Sequence, residues 1–395
     1  MLTKVLTYWN DLQPYRNERQ RCKRYTYGDQ WQDRITVDGR DITEEQYIRS
    51  QGNVPLKNNL IRRIIRNVLG VFRNNYTLPT FEELRRASPV YLPADSALEA
   101  LYRRTLNANS MAEIYCRVLE EYLIGGLAVV RKRVTTSPLP AVYTDIVRPE
   151  SFFFNSDAVD PRGWDTHTLG EIHTLTAEAR ERFDGNAVAS RIFEIWHLTD
   201  AHWRYLFIDE EGRMLKEGPS PYPSGSHPYV MKAYPFTDGE IHSFVADCID
   251  QQRYINRLIT LHDWTIRSTA KGVLLLPESA IPEDLTLEDI AAQWSRYDGV
   301  IRYKAKAGVP LPQQVSNTAG NIGVSDLLGV QLKMMEDVSG INAALQGQLS
   351  SGAVSGTLYE QQTRHALTGL TDIMEGYRSF LVAAALKDLD FLRLL

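Results

Sequence analysis

Three aspartates within nine residues, Asp157, Asp160 and Asp165 in NSDAVDPRGWD, are the closest this 395-residue sequence comes to a metal site. Carboxylates at that spacing can hold a divalent ion that activates water for phosphoester hydrolysis, so a metal-dependent nuclease is one reading. No Gly-spaced calcium loop follows and no glutamate sits at the offset such a loop needs, so an Asx-rich turn is the simpler expectation. The eight histidines (167, 173, 197, 202, 227, 242, 262 and 365) are scattered. His197 and His202, five apart across an expected turn, make a poor ligand pair. Ser351 and Ser355 lie in the glycine/serine stretch GQLSSGAVSG (Gly347 to Gly356) with no basic partner nearby in sequence. That stretch precedes a helix and so has phosphate-cradle form, but it lacks the lysine of a nucleotide loop. GxGxxG, GxxxxGK[ST], GxSxG and HExxH patterns are absent. The expectation is a protein that is not an enzyme and carries no cofactor or metal.

Cys22, Cys116 and Cys248 are odd in number and widely separated, as reduced thiols would be. The start, MLTKVLTYWNDLQPYRN, has no signal-peptide core, and the longest apolar run, YLIGGLAVV, is 9 residues against about 20 for a membrane span. We therefore expect no membrane role and a protein made and used in the cytoplasm, or in something assembled there. Charge is uneven: residues 1–86 hold 16 Lys/Arg and 10 Asp/Glu, whereas the remainder is strongly acidic within a total of −5. Arg16, Arg19, Arg21, Lys23 and Arg24 suggest either a solvated helix face or a surface for nucleic acid or an acidic partner.

The elements that must position these residues read as follows. Thr43-x-x-Gln46, Ser110-x-x-Glu113, Thr168-x-x-Glu171 and Thr357-x-x-Glu360 have capping-box form and announce helices, the third running to about Phe183. Asn58 to Asn75 is an amphipathic helix with Arg62, Arg63 and Arg66 off its apolar stripe. Strands are expected at 128–134, 141–148, 190–198, 203–209, 213–217 and 229–236. Helices follow at 242–271, with a narrow apolar seam, and at 287–297 and 326–345. Short strands at 272–276 and 299–303 flank the second of these. The fold class is α+β, mainly helical.

Five stretches in order, YGDQWQD (27–33), VPLKNNLIRRIIRNVLGVFRNN (54–75), DIVRPESFFFNSDAVDPRGWD (145–165), VADCIDQQRYINRLIT (245–260) and SGINAALQGQLSSGAVSG (339–356), make the chain resemble the portal proteins of short-tailed bacteriophages. The resemblance implies a portal-type subunit: wing (1–167 and 272–340), first stem helix (168–184), clip (185–239), second stem helix (240–271), then a channel loop and C-terminal helix (341–395). Many portals continue past this point into a helical crown, so the resemblance implies either a minimal crown or a truncated form ending at Leu395.

It further implies a ring, usually of twelve copies, at one capsid vertex of the virion. Double-stranded DNA would pass through it in packaging and ejection. The implied partners are the major capsid protein, the terminase large subunit and head–tail adaptor or tail proteins. Channel-loop candidates are Gln348, Ser350, Ser351, Val354, Asn317 and Asn321. Arg62, Arg63 and Arg66 would bridge subunits or guide DNA. Trp203, Tyr205, Glu210, Glu211 and Tyr222 would meet partners at the clip. A head–tail adaptor or minor head protein is the alternative.

Overall fold

The computed structural model describes residues 1–75, 78–88, 96–136, 140–186, 188, 190–234, 236–271, 273–295, 300–305, 308–315, 323–341 and 368–395. Their contacts divide into two units, one of residues 1–30, 59–253 and 333–395, the other of 31–58 and 254–332. Helix and strand are mixed in the α+β manner, with helix in excess.

In the first unit, α1 (Leu2–Asp11) and α2 (Gln13–Tyr27) precede α4 (Leu60–Asn75), α5 (Phe81–Ala87), α6 (Ser96–Ala108) and α7 (Met111–Gly125). Leu60, Ile61, Ile64, Ile65, Val68 and Phe72 of α4 are all buried, as the 3.6-residue stripe requires. After α7 the chain turns into β3 (Leu127–Thr135) at Gly126, whose φ is +73°. β3 pairs with β4 (Ala141–Ile146) and with the later β10 (Tyr229–Ala233), all antiparallel.

A five-stranded antiparallel meander follows, in the order β5 (Phe152–Phe154), β6 (Thr168–Leu175), β7 (Ser190–Thr199), β8 (His202–Asp209), β9 (Met214–Pro219). Period-two alternation divides its side chains. Phe152, Phe154, Leu169 and Trp196 pack with Leu127, Val129, Tyr229 and Met231 of the three-stranded sheet. Phe153, Phe193, Ile195, Leu206 and Ile208, on the other face, pack with Val5 of α1. The C-terminal α12 (Thr371–Leu392) lays Ala385, Leu389 and Phe391 into a third cluster with Phe81, Leu84, Tyr102 and Val142.

α12 is also held electrostatically. Lys132 of β3 and Asp388 of α12 both have no exposed side-chain surface, and the ammonium lies 2.7 Å and 2.8 Å from the two carboxylate oxygens. Lys132 also donates to Thr144 Oγ1 at 2.9 Å.

In the second unit, β1 (Arg34–Val37) and β2 (Arg40–Thr43) form a hairpin, followed by α3 (Glu44–Ser50), whose capping box between Thr43 and Gln46 is formed in full. The long helix α9 (Phe244–Lys271) follows a two-residue pair, β11 (Phe236–Thr237) and β12 (Glu240–Ile241), and its residues from Tyr254 onward belong to this unit. β13 (Val273–Leu275), α10 (Leu287–Ser295) and β14 (Gln313–Val315) come next, then α11 (Val324–Ser339), whose residues from Lys333 onward belong to the first unit.

One face of α9 carries polar rungs rather than an apolar seam alone. Gln252 accepts from the N–H groups of Leu60 and Ile61 (2.9 and 3.2 Å), Asn256 from Asn58 (3.1 Å) and Thr260 from Leu56 (3.1 Å). Four helical residues rise about 6 Å and two extended residues about 6.6 Å, so an i, i+4, i+8 ladder keeps step with alternate amides of an extended segment. The uppermost rung also satisfies two of the orphan N–H groups at the start of α4.

Several expectations are corrected. Residues 168–175 form β6, not a helix: the whole stretch is paired with β7, and Gly170 lies so close to that strand that a Cβ would stand 1.9 Å from Glu194 O. A short helix, α8 (Ala177–Asp184), starts only at Thr176, whose side chain accepts from Ala179 N–H at 3.3 Å. The first of two rods expected to flank 185–239 is therefore missing, and the strands of that block share sheets with 152–175 and 127–135. β13 pairs with 313–315, and no strand forms at 300–303, where one was expected. Ser110 takes a left-handed conformation (φ 49°) and makes no side-chain cap. Ile266, expected in the α9 seam, is exposed. The expected helix start at Thr357 and the stretches 316–322 and 342–367 lie outside the described residues.

Candidate functional site

The three aspartates of the opening reading are spent on their own loop. Asp165 Oδ2 accepts from the N–H groups of Val159 (2.6 Å) and Asp160 (2.9 Å), and Asp160 holds the Arg162 guanidinium at 2.7 and 3.0 Å. Asp157 accepts from Asn155 at 2.8 Å and faces His167. These bonds pull Asp157 and Asp160 below the ordinary carboxylate range, each led by its side-chain donor, Asn155 and Arg162 respectively. Such a set closes a turn and does not converge on an ion.

A tighter cluster is one the sequence reading missed. β6–β7 pairing sets Glu171 directly opposite Glu194, with His173 two residues along, and ligand atoms of the three lie within 4.8 Å of one another. Two like charges across a sheet repel unless compensated. Arg131 of β3 supplies the compensation, 3.1 Å from Glu194 and 3.5 Å from Glu171, while His173 Nε2 sits 2.8 Å from Glu194. Burial raises the Glu171 carboxyl above its ordinary value. Burial also opposes the Glu194 charge, but the His173 hydrogen bond and Arg131 outweigh it and lower its pKa. The donor types would suit a divalent ion, but the guanidinium already fills the acceptor sites and would repel one. The cluster is an ionic tie between the two sheets. Register alone would have exposed it, had the helix expected at 168–183 not hidden the strand.

The arginines separate into two kinds. Arg62 pairs with Glu120 and lies over the Tyr27 ring, 4.8 Å from its centroid. Arg63 and Arg66 are exposed on α4, with no ion pair among the described residues. Arg16 and Arg19 are buried, not solvated: Arg16 lies 3.5 Å from the Trp9 ring centroid, and Arg19 pairs with Glu121 and Glu150. Of the residues named for a clip, Tyr222 stacks on Phe391 at 4.0 Å, Tyr205 packs on Trp196 and Trp203 meets His227 edge-on. Those rings serve the interior. Glu210 and Glu211 are exposed in the β8–β9 turn, where Glu210 accepts from Arg191 N–H at 2.5 Å. Gln348, Ser350, Ser351, Val354, Asn317 and Asn321 lie outside the described residues.

The largest anomaly is apolar. Of 28 large hydrophobic side chains exposed among the described residues, 12 fall within 254–332. Leu261, Trp264 and Ile266 stand out from α9, Leu287, Val300 and Leu311 from the chain that follows, and Leu327 and Val330 from α11. Exposure that is dense in one segment marks an interaction surface, whereas scattered exposure marks nothing. No helix among the described residues is long and apolar enough to cross a membrane.

Residues 194–387, from β7 to α12, match the phage P22-like portal protein family. The family is that of the tailed-phage portal proteins. No curated protein matches the chain. The portal match takes in the whole of α9, β13, α10, β14 and α11, and so the whole segment of dense apolar exposure. It supports a phage portal role, a structural one that belongs at a capsid vertex of the virion.

Proposed function

We propose that the chain is the repeating subunit of a ring, of about twelve copies, that forms the channel for double-stranded DNA in packaging and ejection. The observation that carries this reading is the apolar exposure along α9, the chain after it and α11. Long helices that cannot bury their apolar residues within one copy gain by standing beside the same helices of the next, and such heterologous contacts generate rings when the rotation closes.

The sequence of α9, then β13, α10 and β14, then α11 is compatible with the rod, small tip, rod order expected of a portal. We therefore propose α9 and α11 as the stem and the chain between them as the clip, with the first unit forming the wing. Under this reading the clip would dock the terminase large subunit and later the head–tail adaptor, and the wing would meet the major capsid protein. Glu210 and Glu211 are kept as partner contacts on the wing. Arg63 and Arg66 have the free charge to bridge subunits or guide DNA, which Arg62 lacks. Gln348, Ser350, Ser351, Val354, Asn317 and Asn321 are proposed to line the channel on the resemblance alone. A formal charge of −5 per copy suits a channel that lets phosphates slide, because a basic wall would bind them. The proposed role needs no catalytic group.

Native mass measurement and negative-stain microscopy of the purified chain test it. Rings of about a dozen copies with an axial hole are expected. A chain that stays monomeric at high concentration and is found singly in capsids would overturn the ring and favour an adaptor.

A further inference from the structure

A groove of about 680 Å³ in the first unit runs along α12. Its first wall is one face of that helix, from Glu375 through Ser379 and Val382 to Leu386 and Lys387. Twelve helical rises from Glu375 to Lys387 make this wall about 18 Å long. The opposite wall is Val230, Met231 and Lys232 of β10 with the loop that carries Gly163 and Trp164. Gly163 has φ +68° and lies against Met231, where a Cβ would come within 2.6 Å of the sulfur. Trp164 is 73% exposed at the mouth, under the Arg162 guanidinium at 3.6 Å.

The groove is apolar along its floor and cationic along its edges. Arg162, Lys232, Arg378 and Lys387 line it against a single acid, Glu375. Arg162 is held by Asp160 and Arg378 by Glu83, while Lys387 donates to the carbonyls of His227 and Tyr229. The Lys232 side chain makes no hydrogen bond or ion pair among the described residues, though Asp160 and Asp372 attract its charge. A ligand for such a groove is an amphipathic helix with acidic flanks.

The same chain displays one. On α11, Leu327 (44% exposed), Val330 (54%), Met334 (42%) and Val338 (44%) recur at spacings of three, four and four, a single apolar stripe. The stripe is about 17 Å long, close to the length of the groove wall. Val338 also borders a small cavity at the start of its own α12. The helix carries Asp326, Glu336 and Asp337 against Lys333, a charge opposite to that of the groove. No residue lining the groove comes from α11 of the same chain.

We propose that α11 of one copy seats in the groove beside α12 of a neighbouring copy. The stripe and the groove are different patches, so the contact is head-to-tail and repeats around a closed ring. The inference rests on the ring reading and adds the pair of surfaces that join one copy to the next.

Thiol cross-linking of the full chain tests it, because Cys22, Cys116 and Cys248 are all buried. Val330→Cys combined with Ser379→Cys, treated with a short bis-maleimide, should give a ladder of covalent dimers and higher multimers, and neither single variant should. Lys232→Glu with Arg378→Glu, checked for an unchanged circular-dichroism spectrum, should weaken self-association at least tenfold. Rings that form without a ladder and are indifferent to charge reversal overturn the inference and leave the ring standing. Loss of capsid-protein or adaptor binding in the charge variant, with rings intact, also overturns it by giving the groove to another partner. If the wild type forms no ring and the paired cysteines form no ladder at high concentration, both readings fall.

Discussion

Removing one member of the Lys132–Asp388 pair should be among the costliest single changes the first unit can suffer. Neither side chain has exposed surface, and the ammonium is shared with Thr144 Oγ1. Burial is the leading influence on both groups: it lowers the pKa of Lys132 and raises that of Asp388, each against the attraction of the other. Lys132→Met leaves a fully buried carboxylate with no counter-charge, which costs about 3–5 kcal/mol for pairs of this kind. At a urea dependence of about 3 kcal/mol per molar, the unfolding midpoint should fall by about 1 M or more.

The loss should also carry a pH signature. In the variant Asp388 escapes its unpaired charge by taking a proton, so its folded pKa lies above the unfolded one. Stability tied to that proton is present at low pH and lost as pH rises through the folded pKa. The deficit against wild type should therefore shrink as pH falls. Lys132→Met with Asp388→Leu, which swaps the pair for apolar volume, should recover most of the loss or all of it. Urea titrations at pH 5 and pH 7.5 give both readouts. A single variant within about 1 kcal/mol of wild type, or a double variant no better than the single, would refute the reasoning.

Three further outcomes are expected. Burial and the nearby Lys387 ammonium hold His227 well below its ordinary pKa, and its Nδ1 accepts from Tyr229 N–H at 3.2 Å. The unfolded chain thus takes this proton first, and wild-type stability should fall as pH drops below about 6.5. His227→Asn, measured by thermal melts across pH 5–7.5, should flatten that fall; an unchanged profile counts against a neutral His227. Gln252→Ala strips the acceptor from two amides at the head of α4 and should cost about 1–3 kcal/mol. Hydrogen exchange at Leu60 and Ile61 should quicken, and unchanged protection there would contradict the ladder. Gly170→Ala should cost about 3 kcal/mol or abolish soluble expression, since the new Cβ meets the β7 backbone; a well-behaved variant would put the β6–β7 register in error.

What could be read in advance, and what could not, has physical reasons. α4 and α9 declare themselves by apolar period, and the strands between 190 and 219 by alternation and turns. Thr168 misled because a capping box is a local signal, while the competing signal, an unbroken partner strand at 190–199, is remote in sequence. α11 was legible as a helix, but its exposure was not. Leu327 and Val330 look like core, yet they are 44% and 54% exposed. Gln252, Asn256 and Thr260 would read as a wetted stripe in any sequence, because side chains that bind backbone leave no complementary residue pattern in the strand they bind. Arg16 and Arg19 looked like solvated charge for a similar reason: Glu121 and Glu150 are far away along the chain.

The ladder on α9 imposes a grammar on the segment it grips. Its three rungs recognise amides and no side chain, so most residue types are interchangeable at positions 56, 58 and 60 so far as these bonds go. Proline is the exception, as it brings no N–H. The segment has a proline, Pro55, at a position that no rung addresses. In related sequences the proline should move only among unaddressed positions. A one-residue insertion between 56 and 60 should be absent unless α9 has changed its own polar spacing to match.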